Sequence, residues 1–373
     1  MLAKSHVESE KSADLDAALE RFSGRRTAQG DHLRHRFAVL PSYQQPRYLL
    51  PLGDSRTTLG GFRFYTPYDM GGRLRKVLLG LLVKTGWSGW AMHPLYVGEP
   101  LGLKALVTNV AGERSPVFAM GLGTPGKYRK LTIQVMRAGG ETLGYIKLGL
   151  TAVASDRVRH EARILDNISG LQPDVPRVLY AGQWQDSFLL FQSPLEGRPG
   201  PVELSAMHVE FLENLGGLRR VDKAGLRVLD EVGGRWDEAS WRCDWRWQRL
   251  GTAALATARR ELDKVTVPCG FSHGDFVPWN TRVVDGRLMV YDWEACEGGV
   301  PLGWDAFHFS MQMARRRREN WRTKFDLAAT PGARGVFILY LLASLGKALD
   351  ERAEVNENLE YCQRVLTDEL TMR

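Results

Sequence analysis

Ten consecutive residues, Phe271-Ser272-His273-Gly274-Asp275-Phe276-Val277-Pro278-Trp279-Asn280, combine a histidine, a carboxylate and an amide at short fixed spacing, and Asp292 follows in Val290-Tyr291-Asp292-Trp293-Glu294. Phosphoryl transfer needs an acceptor for the proton of the attacking hydroxyl, an oxygen ligand for Mg2+, and a second acidic ligand that bridges the metal to the phosphates. Asp275, Asn280 and Asp292 supply these groups in that order. The step from Asp275 to Asn280 has the arithmetic of a D-x-x-x-x-N catalytic loop. The stretch VVDGRLMVYDW reads as a hairpin turning at Asp285-Gly286, which returns Asp292 to the side of Asn280.

Two further signals lie upstream. Gly121-Leu122-Gly123-Thr124-Pro125-Gly126 is a G-x-G-x-x-G run, and glycine lets a backbone approach phosphates closely. A dinucleotide site needs a helix directly after such a loop, whereas Tyr128 to Arg137 reads as a strand; this favours a lid over nucleotide phosphates, with a plain hairpin turn as the other reading. Lys147 interrupts the apolar strand Gly144 to Gly149, two strands after the glycines, where an ammonium reaches the α- and β-phosphates. Glu161, on the helix that follows, is its natural ion-pair partner; the alternative is a solvated helix-face glutamate.

The elements that must position these groups are legible from about Ser115 onward. VFAMGLG, LTIQVMR and LGYIKLG form three β-rich runs, the last two joined at Gly139-Gly140. A helix is expected over residues 155–168, then strands RVLYAGQ and SFLLFQS. Beyond Pro194, apolar residues at three- and four-residue spacing predict helices over 204–220, 245–262, 305–324 and 337–349. A β-rich lobe therefore precedes an α-rich one. Asp305 is expected to cap the third of these helices, with a possible bond to the catalytic loop. Before residue 112 the pattern is poor: Leu15, Leu19 and Phe22 have helical spacing, and Gly72 to Lys84 reads as one basic helix.

The composition is that of an ordinary globular chain, with 44% hydrophobic and 25% charged residues among 373. The formal net charge of +7 is uneven: residues 1–112 hold 15 Lys and Arg against 9 Asp and Glu, and the remainder holds 35 against 34. A basic segment attracts phosphate, nucleic acid or an anionic membrane surface, yet no zinc, RNP or basic-zipper signature accompanies it, so nucleic acid is not expected as a partner. The four cysteines are widely separated and form no C-x-x-C pair, which predicts reduced thiols. The charged N-terminus lacks the apolar core of a secretory signal, and no apolar run approaches transmembrane length, so a cytoplasmic protein is expected.

The H-G-D-x-x-x-x-N loop followed by Y-D-W-E resembles the aminoglycoside phosphotransferase and choline kinase family, over roughly residues 115–350. The resemblance implies an α+β, protein-kinase-like fold, with an N-terminal extension (1–112), a β-rich N-lobe (113–193) and an α-rich C-lobe (194–373). It implies ATP and Mg2+ as cofactors, Asp275 as catalytic base, Asn280 and Asp292 as metal ligands, and Lys147 on the phosphates held by Glu161. Gly121, Gly123 and Gly126 would cover the phosphates, His273 would be structural, and backbone groups of Gln192 and Ser193 would bond adenine at the hinge. Two features depart from the family pattern: the long extension, and a glycine loop fuller than many members show.

The expected reaction moves the γ-phosphoryl group of ATP to a hydroxyl of a small molecule, a sugar or an amino alcohol. Trp236, Trp241, Trp245 and Trp247 offer faces for such an acceptor, or else pack helices together. Arg315 to Arg318 suit an anionic acceptor, though a solvated helix end is the more common fate of such a run. The acidic lining that a polycationic acceptor needs is not evident. An inactive nucleotide-binding module is the alternative function, and a protein kinase is disfavoured by the lack of an A-P-E element after Asp292.

Overall fold

A computed structural model describes residues 15–23, 34–63, 70–85, 94–172, 174–241, 243–350 and 357–371. Two compact units emerge, one of Met1–Ser169 with Pro176–Pro194, the other of Gly170–Val175 with Leu195–Arg373.

The first unit is built on one antiparallel sheet. Helix α1 (15–23) precedes β1 (Arg34–Ser42), β2 (Gln45–Pro51), α2 (Ser55–Gly61), α3 (Met70–Lys84), β3 (Pro94–Gly98) and α4 (Leu101–Ala111). The expected meander follows as β4 (Val117–Leu122), β5 (Lys130–Met136) and β6 (Thr142–Gly149), then α5 (Ala152–Ile168), β7 (Val178–Trp184) and β8 (Ser187–Gln192). The sheet order is β3-β1-β2-β4-β5-β6-β8-β7. The strands of the segment before residue 112 thus continue the same sheet, with Tyr48 and Leu49 of β2 paired to Gly121 and Met120 of β4.

Apolar burial explains that continuity. Phe22, Phe37, Leu49, Val97 and Leu103 share a core with Phe118, Met120, Ile133, Ile146 and Phe191. On a second cluster, Leu40, Leu50, Phe62 and Val83 pack with Ala119 and Met136. The helical spacing of Leu15, Leu19 and Phe22 is realised in α1; residues 1–14 and 24–30 lie outside the described residues. The basic helix expected over 72–84 is α3.

The second unit is mostly helical: α6 (Ala206–Gly217), α7 (Gly225–Ser240), α8 (Trp245–Leu262), α9 (Trp304–Arg317), α10 (Ala333–Asp350) and α11 (Glu357–Thr371). Two small three-stranded sheets accompany them. One runs β10-β11-β14, with β10 (Val221–Ala224), β11 (Thr266–Ser272) and β14 (Glu297–Pro301); the other runs β13-β12-β9, with β9 (Arg198–Pro199), β12 (Thr281–Val284) and β13 (Arg287–Val290). Helix α7 escapes the sequence reading because Gly225, Gly233 and Gly234 lower its intrinsic propensity. Packing supplies the stability instead, through buried Val228, Leu229, Val232 and Trp236. Gly251 of α8 permits the approach: a Cβ there would lie 1.9 Å from the Trp236 indole nitrogen.

Candidate active site

In the first unit, Lys147 of β6 and Glu161 of α5 form a buried ion pair, Nζ to Oε1 at 2.5 Å, with side-chain exposures of 5% and 0%. Strand register sets it up: Lys147 pairs with Thr132 on one side and Leu190 on the other, so its backbone is fixed in mid-sheet. Helix α5 starts at a Thr151 cap whose Oγ1 accepts from the Ala154 N–H at 3.0 Å. Both charges are nearly out of water, so each depends on the other.

Gly121 lies inside β4, between Tyr48 and Thr132, and the turn proper spans the residues after Leu122. Gly123 donates to the Lys130 carbonyl at 3.1 Å, while Gly126 has φ +135 with open space around its Cα. The far side of the turn is tied to the start of α5: the Thr151 hydroxyl donates to the Lys127 carbonyl, and the Arg157 guanidinium lies 3.3 Å from the Tyr128 ring centroid. The sequence reading of a strand-to-strand loop is therefore realised.

At the end of β8, Gln192 is in register with Tyr145 and Val178. Ser193 donates its N–H to the Arg177 carbonyl at 2.8 Å, and its hydroxyl accepts from the Arg177 N–H at 2.9 Å. The Ser193 N–H is thus engaged within the first unit.

In the second unit, β11 delivers the chain into His273-Gly274-Asp275. The Asp305 carboxylate, 5% exposed, accepts from the His273 N–H at 2.7 Å and the Gly274 N–H at 2.9 Å. The bond to the catalytic loop is as expected, but the cap is not. Gly303, with φ +98, is the N-cap of α9; Asp305 sits in the first turn and spends its oxygens on the loop rather than on its own helix. Gly274 has φ +78, and a Cβ there would lie 2.1 Å from the Ala295 carbonyl oxygen, so glycine is required.

His273 is structural, as the loop resemblance implies. Its Nδ1 accepts from the Asp275 N–H at 3.3 Å, so the ring proton sits on Nε2 and is donated to the Tyr291 carbonyl at 3.2 Å. Asn280 donates through Nδ2 to the Asp275 carbonyl at 2.9 Å and to Asp275 Oδ2 at 3.0 Å. With the amide nitrogen so used, the oxygen Oδ1 is the group this side chain presents to a hard cation. The β12–β13 hairpin turns at Asp285 and Gly286, φ +48 and +82, as the D-G reading predicts. Thr281 pairs with Val290, and the Tyr291 N–H donates to the Asn280 carbonyl at 3.0 Å, so Asp292 follows directly on the residue bonded to Asn280. Asp292 itself has φ +74, a left-handed conformation rare for a residue with a Cβ.

One participant was missed by sequence reasoning. His308 of α9 places Nε2 3.2 Å from Asp275 Oδ1, and its Nδ1 is 3.2 Å from the Tyr340 hydroxyl of α10. Burial raises the Tyr340 phenol well above its ordinary range, so it stays protonated and can donate to Nδ1. The histidine then donates from Nε2 to the carboxylate. Only the helical phase of His308 relative to Asp305 hinted at this, since residues three apart share a helix face.

Of the tryptophans, Trp236 and Trp247 pack into the helical core, whereas Trp241 and Trp245 are exposed. Arg315 and Arg317 face the carboxylates of Glu357 and of Glu203 and Glu319, while the Arg316 guanidinium lies 4.3 Å from the Trp279 ring centroid beside Asn280.

Comparison with known proteins agrees with this architecture. A thermostable mutant of aminoglycoside phosphotransferase APH(4)-Ia, in ternary complex with ADP and hygromycin B, is 15% identical with a TM-score of 0.50, over 72% of this chain and 97% of that chain. A ternary complex of the same enzyme with AMP-PNP and hygromycin B is 14% identical with a TM-score of 0.50, over 72% and 97%. An ethanolamine kinase from Plasmodium vivax is 9% identical with a TM-score of 0.43, over 72% and 86%. No curated protein matches the chain. The fold is protein-kinase-like, an antiparallel sheet region followed by a helical one. The model of the phosphotransferase enzyme family matches residues 145–359, more than half of the sequence and all of the catalytic-loop segment, and the chain belongs to that family.

Proposed function

We propose that the chain transfers the γ-phosphoryl group of ATP to a hydroxyl of a small molecule, a sugar or an amino alcohol, with Asp275 as the catalytic base. The observation that carries this reading is the state of the Asp275 carboxylate. It is held from two sides, by Asn280 and His308, yet its side chain remains 45% exposed and open to an incoming hydroxyl. Held so, it orients the hydroxyl and takes its proton as the bond to phosphorus forms.

The remaining groups divide by unit. Asn280 and Asp292 offer two oxygen donors of the hard kind that magnesium takes, and the commitment of Asn280 Nδ2 to Asp275 fits that assignment. Bound there, magnesium neutralises charge on the phosphates. Lys147, fixed by Glu161, binds the α- and β-phosphates, and the Gly123–Gly126 turn covers them with backbone. Gln192 and Ser193 remain the hinge candidates for adenine, through groups other than the Ser193 N–H. His308 is a positioning residue: it donates from Nε2 to Asp275 Oδ1, which leaves Oδ2 to take the proton of the hydroxyl. Use of ATP by a chain with no disulfide fits a cytoplasmic enzyme.

The test is product analysis by phosphorus NMR after incubation with ATP, Mg2+ and a panel of hydroxylated acceptors. Sugars, amino alcohols and, because Arg316 lies beside the loop, sugar phosphates belong on it. A new phosphomonoester resonance with stoichiometric ADP is expected. Magnesium-dependent stabilisation by ATP with no ester formed across the panel would replace this reading with that of an inactive nucleotide-binding module.

A further inference from the structure

Helix α3 is turned the wrong way round for an ordinary surface helix. Its inner face rests on the sheet through Val83, 1% exposed, and half-buried Leu79. The opposite face carries Leu74, Val77, Leu78 and Leu81, exposed by 62%, 59%, 53% and 53%. Their spacing is i, i+3, i+4, i+7, so they form one continuous apolar stripe where solvent-facing residues are normally polar. The charge of the helix is entirely of one sign: four basic residues and no acidic one between Met70 and Lys84. Arg75 and Lys84 are exposed.

An apolar stripe with exclusively basic company suits one kind of surface. We propose that α3 docks the chain on an anionic phospholipid bilayer, lying in the interfacial plane with Leu74, Val77, Leu78 and Leu81 among the upper acyl groups and the Arg75 and Lys84 side chains among the headgroups. A second copy of the same stripe would bring four positive charges against four with no acidic complement. Nucleic acid would leave the aliphatic stripe in water, since aliphatic side chains give bases nothing to stack on. The helix does not span: 15 residues reach about 22 Å, short of the ~30 Å hydrocarbon core, and no helix among the described residues is long and apolar enough to cross a membrane. The proposal is independent of the catalytic reading.

The experiment is flotation of the full chain with phosphatidylcholine vesicles, with and without phosphatidylglycerol. Binding to the anionic vesicles is expected, weakening as salt rises. The double variant Leu78→Glu/Leu81→Glu should lose it with an unchanged melting temperature, because both side chains are already in solvent, and the milder pair Leu74→Gln/Val77→Gln should weaken it. Arg75→Gln with Lys84→Gln should lower partitioning by about tenfold or more, at roughly fivefold per charge. No flotation at low salt, or equal flotation of the glutamate variant, overturns the proposal. So does light scattering that shows a dimer which the glutamate variant dissolves, since a second copy then covers the stripe.

Discussion

Asp275 is set by one partner within its own loop, five residues away, and one on another element, 33 residues away, and they differ in how their loss will read out. A hydrogen bond to a charged group is worth about 1.5–3 kcal/mol. His308→Leu should therefore lower kcat by about 10- to 100-fold, with KM for ATP unchanged. His308→Gln keeps an N–H near the Nε2 position and should recover most of that loss. A leucine variant with wild-type kcat would show His308 to be a bystander. The Lys147–Glu161 pair makes a different demand. Glu161→Ala takes away the carboxylate that holds the buried ammonium and should cost about 3–5 kcal/mol of stability, visible in chemical denaturation, besides weakening ATP binding. Asp275, Asn280 and Asp292 were legible because a loop and a two-residue hairpin place them locally. His308 was not, because its contact depends on how α9 packs beside the loop.

Among the elements, α9 and α6 hold the catalytic loop from behind. Asp305 in the first turn of α9 ties down two backbone N–H groups, so Asp305→Ala leaves both without their acceptor at about 1–3 kcal/mol each and should depress Tm and turnover together. On α6, the His208 imidazole accepts from the Ser205 N–H at 3.1 Å and packs against Phe276 and Phe309. Burial pushes its pKa down from 6.5 to about 4. The unfolded chain then binds a proton that the folded chain does not, so stability is full above pH 6.5 and falls as the pH drops towards 4, by about 1.4 kcal/mol per unit within that window. His208→Asn keeps an acceptor for Ser205 and cannot titrate there; melting curves across this window should show a shallower acid limb. The sequence pattern marked α8 and α10 through apolar periodicity, while glycine-rich α7 needed its neighbours. Asp305 was misplaced as a cap because an acidic residue near a helix start serves its own backbone unless a loop competes for it.

At the scale of the whole chain, the segment before residue 112 is part of the sheet rather than an appendage. Proline at positions 41, 46, 51 and 94 obscured its strands, since proline donates no ladder bond and normally marks turns or strand ends. A chain beginning at residue 113 would uncover the β2-facing edge of β4 and the apolar surface that Phe22, Phe37, Leu49 and Val97 cover. It should aggregate or lack a cooperative melt; a soluble, cooperatively melting truncation would contradict the shared core. The order of sheet region before helical region was legible because strand and helix periods separate cleanly after residue 115.

The role of Asp275 is most directly measured by comparing wild type and Asp275→Asn in steady-state ADP release with an acceptor that supports turnover, alongside magnesium-dependent ATP binding of both proteins. The account predicts a rate at least about 100-fold lower in the variant, with ATP affinity within about twofold of wild type, because the asparagine keeps the shape of the carboxylate and lies outside the set of metal ligands. Equal rates in the two proteins would contradict it.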